Sequence, residues 1–214
     1  MIRLCAILLL VCAELNAVTV DRLAVTVGHT VITELQIDEE LRVTTLLNGQ
    51  PVSRDLESRR AAADRLVEQL LIQHEMDLSR YPAPTDEELD SYYNGVQQTL
   101  GGEERMRQLL TQYELTDQTL RSHLKAQLAT LRFIEFRFRP DINISDQEIT
   151  VDYKNEVAEM RASSPLAKVP SLDTAERDKL SQVLLEQRTD AALDTWLAES
   201  RKQVNIVYID SALR

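Results

Sequence analysis

The chain has 214 residues, with 24 Lys and Arg against 35 Asp and Glu, for a formal charge of −11. Its 43% hydrophobic and 28% charged residues are globular composition, unlike that of a disordered chain or a membrane bundle. The acidic balance excludes a phosphate-tracking nucleic-acid binder, and five glycines with 5% aromatics argue against a β-sandwich or barrel.

Residues 1–17, MIRLCAILLLVCAELNA, read as an export signal. Arg3 supplies a short positive start, and Leu4 to Ala13 is an apolar run too short to span a bilayer. Leu15-Asn16-Ala17 then fits cleavage after Ala17. The structural alternative is a buried N-terminal helix; lipid attachment at Cys12 is disfavoured by the bulky Val11 before it. Cleavage would remove Arg3 and Glu14 together, leaving the net charge as it is. It would also remove Cys5 and Cys12, so the mature chain would have no disulfide, thiol nucleophile or Cys-ligated metal.

Leu23 to Val27 alternates and is β-rich, Gly28-His29 is a turn signal, and Thr30-Val31-Ile32 returns as a second strand. A lone hairpin is marginal and needs a further strand or a helix to cover it. Val204 to Ile209 is the remaining strand candidate, so the two segments are expected to meet in one small sheet. Between them the pattern is helical. Thr33-x-x-Gln36 opens a helix to about Leu47. Ser53 is expected to cap a long helix to about Ser79, with Ala63, Leu66, Val67, Leu70, Leu71, His74 and Leu78 on its apolar face.

Thr85-x-x-Glu88 opens a third helix bearing Leu89, Tyr92, Tyr93, Val96 and Leu100, stopped by Gly101-Gly102. A short helix follows with Met106, Leu109, Leu110 and Tyr113 on one face. Thr116 caps a long helix carrying Leu120, Leu124, Leu128, Leu131 and Ile134, ended by Pro140. Ser145-x-x-Glu148 caps another, with Ile149, Tyr153, Val157 and Met160. Residues 162–174 contain two prolines and read as a linker, and Asp173 caps a last long helix with Leu185, Ala192, Leu193, Trp196 and Leu197 on one face. The predicted fold is mostly α: a multi-helix core with a small β-sheet formed by the N-terminal hairpin and the C-terminal strand.

Chemistry-bearing motifs are scarce. His29, His74 and His123 have no second ligand at metal spacing; His74 is expected in the core, and His29 and His123 at the surface. There is no phosphate loop, no G-x-G-x-x-G and no G-x-S-x-G. The acidic runs at 38–40, 86–88 and 103–104 are expected in the first turns of helices, against the positive dipole end. No catalytic residue, cofactor site or metal site is predicted, and the chain is not expected to be an enzyme. The Tyr- and Met-bearing stripes suit adaptable apolar contact with varied partners, although core packing is the plainer use of the same residues.

The order of elements carries a resemblance. An exported chain opens with Val20-Asp21-Arg22-Leu23-Ala24-Val25-Thr26-Val27-Gly28 and Val31-Ile32-Thr33-Glu34-Leu35. It continues through Thr85-Asp86-Glu87-Glu88-Leu89 and reaches Ile144-Ser145-Asp146-Gln147-Glu148-Ile149-x-x-x-Tyr153. This resembles the N-terminal domain of the SurA family of periplasmic chaperones and foldases. Residues 188–209 are similar to that family's C-terminal helix and strand, which return to the N-terminal domain. Typical members carry parvulin-type prolyl isomerase domains after the Ser-Asp-x-Glu helix. Here only residues 162–174 fill that place, so isomerase activity is not implied.

The resemblance implies a signal peptide at 1–17, a helical domain at 18–161, a linker at 162–174 and a returning helix and strand at 175–214. It further implies an ATP-independent periplasmic holdase whose partners are unfolded or nascent envelope and outer-membrane proteins, with no nucleic acid and no membrane span after signal cleavage. Leu89, Tyr92, Tyr93, Val96, Met106, Leu109, Leu110 and Tyr113 are the candidate peptide-binding residues. Three other readings stay open: a structural or assembly subunit docking one envelope partner, a prolyl isomerase, which has no visible catalytic domain, and an inner-membrane-tethered form with the signal uncleaved.

Overall fold

The structure, a computed structural model, describes residues 21–166, 169–210 and 213; the expected signal segment lies outside the described residues. Strands β1 (Leu23–Val27) and β2 (Thr30–Thr33) form the hairpin, and β3 (Ile206–Tyr208) pairs antiparallel on the other side of β1, giving the order β2-β1-β3. The expected sheet is therefore present. Gly28 sits at φ 59 in the turn, a conformation glycine adopts without steric cost. Val25 and Val27 of β1 turn their buried faces inward together with Ile32 of β2.

Seven α-helices complete the described chain: α1 (Glu34–Leu47), α2 (Leu56–Ser79), α3 (Asp86–Thr99), α4 (Glu103–Gln112), α5 (Asp117–Arg137), α6 (Asp146–Ser163) and α7 (Thr174–Gln203). Thr33, Thr85 and Ser145 close reciprocal capping boxes with Gln36, Glu88 and Glu148, and Thr116 and Asp173 cap α5 and α7 as expected. One cap differs. Asp55, not Ser53, caps α2 by accepting from the Ser58 amide, and the Ser53 hydroxyl donates to the Asp55 carboxylate instead. A carboxylate facing a helix N-terminus gains from the dipole as well as the hydrogen bond.

Two apolar clusters lie along the molecule. The first joins the sheet to Ile37 and Leu41 of α1, to α2, to the end of α5 and to α7. Phe133 is its centre, fully buried, with its ring 4.7 Å from Trp196 and edge-on to Tyr81 and Phe138. The second joins Val43 and Leu46 at the end of α1 to α3, α4 and the start of α5. Helices α1 and α5 thus run through both.

The long helix α2 departs from its expected face. Its buried positions are Ala62, Ala63, Val67, Leu71, Ile72 and Met76, while His74 and Leu78 are exposed. The sheet, α1, α5 and α7 all pack on this helix, and the buried face turns toward Ile72 and Met76, leaving the 74/78 edge in solvent. His74 is therefore a surface residue.

Candidate functional site

Where the two clusters meet, α1, α2, α3, α5 and α7 leave an open groove of about 390 Å3. Its apolar walls are Leu47, Ile72, Tyr92, Leu131, Leu193 and Leu197, one or two side chains from each helix. A second hollow of about 460 Å3 shares Leu47, Tyr92 and Gln127 with it and runs on past Gly95 and Val96 to Leu100. The Tyr92 hydroxyl donates to Gln127 Oε1 at 3.1 Å, holding the ring at the junction.

The polar side of the groove is organised by Glu40. Its side chain is only 3% exposed, yet it is fully served: Arg65 Nε donates at 2.8 Å, His123 Nδ1 at 3.0 Å and Thr44 Oγ1 at 3.1 Å. Burial opposes the Glu40 charge. The hydrogen bonds and positive charge supplied by His123 and Arg65 outweigh it and hold the carboxyl below its usual range. The His123 side chain is 9% exposed, so this histidine is buried against a carboxylate and does not lie at the surface as expected. Glu68, also on the groove, is engaged by Arg201 at 2.9 Å. Among the described residues no group of three or more His, Cys, Asp or Glu could hold a metal ion, and no helix is long and apolar enough to cross a membrane.

The residues expected to face a peptide divide in two. Leu89, Tyr93, Met106 and Tyr113 are buried in the second cluster, which corrects their assignment to an open surface. The physical reason is that α3 and α4 fold over the end of α1 and the start of α5, and closing that small core uses both stripes. The hydroxyls of the two buried tyrosines serve the same closure. Tyr113 donates to the Gln50 carbonyl at 2.7 Å, and Tyr93 donates to the Asp117 carboxylate; burial and that carboxylate push the Tyr93 phenol up to about 12. Tyr92, Val96, Leu109 and Leu110 are half-buried, and of these Tyr92 and Val96 line the hollows.

Leu47, Leu131, Leu193, Glu40 and His123 were not foreseen as site residues. The signal for the last two was a charge and a histidine standing inside apolar stripes: Glu40 between Ile37 and Val43, and His123 between Leu120 and Leu124. The chain matches no protein-family model and no curated protein sequence.

Proposed function

We propose that this chain is an ATP-independent periplasmic holdase that takes up apolar segments of unfolded envelope proteins in the groove between α1, α2, α3, α5 and α7. The observation that carries this reading is the groove itself, with six apolar walls from five helices and its charged side chains already engaged, Glu40 with Arg65 and His123, and Glu68 with Arg201 outside the groove lining. Such a surface gains from burying apolar side chains, at about 2 kcal/mol each, and offers no unpaired charge to select one sequence. Ordering a disordered client opposes that gain, so affinity per site is expected on the order of micromolar. Preferential binding of non-native chains delays aggregation without energy input. The resemblance to the SurA family and the charge of −11, which favours solubility, support the same reading.

The test is light scattering of a urea-unfolded outer-membrane β-barrel protein diluted into buffer without ATP. Leu131 is 54% exposed and Leu78 is 67% exposed, so a charge at either is expected to leave the fold intact, but only Leu131 lines the groove. The full chain should suppress scattering, Leu131→Arg should weaken suppression several-fold, and Leu78→Arg should match the parent. No suppression by the parent, or equal suppression by Leu131→Arg, would overturn the proposal.

A further inference from the structure

We propose that the groove selects clients by what flanks their apolar segment, favouring those with Lys or Arg next to it, and that Asp190 and Asp194 of α7 with Glu75 of α2 make the selection. This selection rests on the holdase reading of the same groove and names the class of segment held. Inside the groove the charged side chains are engaged: Arg65 and His123 with Glu40, and Glu68 with Arg201. Discrimination among apolar segments therefore falls to the charges that border the groove.

Helix geometry places those charges. Leu193 and Leu197 are the walls from α7. Asp190 is three residues before Leu193, Asp194 is three before Leu197, and the two aspartates, like the two leucines, are four apart. The four side chains therefore form one patch on the helix. Both aspartates are exposed. Arg201 contacts Asp64 at 3.6 Å and Glu68 at 2.9 Å, and Leu193, two turns earlier, shares the groove with Ile72. Falling numbers on α7 thus follow rising numbers on α2, and one turn beyond Leu193 and Ile72 come Asp190 and Glu75.

The three carboxylates lack a cation. Among the described residues none of them forms an ion pair, and Glu75 accepts from the neutral Ser79 hydroxyl at 2.8 Å. Other helices use the four-residue spacing for opposite charges, as Arg42 with Asp38, Arg121 with Asp117 and Arg139 with Glu135. Asp190 and Asp194 hold that spacing with like charges, a small cost to the helix. The nearby basic residues of α7 are spent, Arg188 on Glu148 and Arg201 on Glu68. An apolar segment lying on Leu193 and Ile72 therefore ends against uncompensated negative charge. A Lys or Arg there keeps its stem on the apolar wall and its charge beside the carboxylates, whereas an Asp or Glu is repelled. Each such pair is exposed and contributes little, so the preference is several-fold and falls with salt.

The test uses the full chain and three dansyl-labelled peptides that share one leucine-alanine centre and carry Lys, Gln or Glu pairs at both ends. Fluorescence anisotropy at low salt should rank them Lys, Gln, Glu. The Lys peptide should bind roughly fivefold more tightly than the Gln peptide, and the gap should close at about 0.5 M salt. Leu131→Arg should weaken all three, which assigns the binding to the groove. Asp190→Asn with Asp194→Asn should bring the Lys peptide close to the affinity of the Gln peptide. Glu159→Gln with Asp178→Asn removes the same charge from exposed positions on α6 and the start of α7, and should leave the ranking as it is. Equal affinity for all three peptides would overturn the preference and leave the holdase reading standing. A preference that survives in Asp190→Asn with Asp194→Asn, or that falls equally in Glu159→Gln with Asp178→Asn, would overturn the role of these carboxylates. Binding of none of the peptides would remove the groove reading and the preference together.

Discussion

Glu40 stands where an apolar side chain would satisfy the helix pattern, and the fold meets the cost of burying it with three donors from three helices. Removing Glu40 leaves the largely covered His123 imidazole without its carboxylate partner, while Arg65, 37% exposed, can turn to water. Glu40→Ala should cost roughly 3 kcal/mol at neutral pH, a fall in Tm of about 6–12 °C. Glu40 is held below its ordinary value of 4.5, so its stabilising contribution is present above that value and fades as pH falls through the lower folded value. The gap in thermal stability between parent and variant should therefore narrow below about pH 4. A constant gap from pH 7 to pH 3 would show that the carboxylate charge is not what stabilises the contact. In the sequence, Glu40 is the third member of an acidic run, and the run reads as ordinary dipole complement. Only the tertiary placement of Arg65 and His123 separates Glu40 from Asp38 and Glu39.

At the level of elements, caps were the most legible feature, because capping is local chemistry: Thr33, Thr85, Thr116, Ser145 and Asp173 all start helices where their side chains can serve orphan amides. Stripes were less informative. Tyr93 and Met106 are apolar-face residues by spacing, and spacing says that a face is covered without saying whether the chain itself or a client covers it. Helix α6 shows how an element can depend on one neighbour. It packs chiefly on α7, where Arg188 bonds the Glu148 carboxylate and donates to the Asn143 carbonyl at 2.9 Å. The Ser145 hydroxyl and amide, with Arg188, pull Glu148 down to about 2, so this link persists through all mild pH values. Arg188→Ala should speed amide hydrogen exchange across α6 several-fold and leave exchange in β1 and α2 unchanged. Equal acceleration in β1 would mean that α6 and the sheet open as one unit.

Across the whole molecule, the pairing of the first and last strands was legible because strand-like runs are rare in this sequence, and a hairpin needs a third partner. Side chains reinforce the closure: Arg59 meets Asp210 at 3.1 Å, the Tyr208 hydroxyl donates to Asp64, and Leu213 is fully buried. The groove was not legible. Its walls come from five helices spread between Leu47 and Leu197, and no local pattern ties Leu47 to Leu193. Whether that groove holds non-native chains is tested most directly by site-specific photocrosslinking. The full chain, carrying a photoreactive phenylalanine at position 131 or at position 78, is mixed with a urea-unfolded outer-membrane protein and irradiated. Adducts concentrated at position 131 are the predicted result; equal adducts at both positions, or adducts at 78 alone, would contradict it.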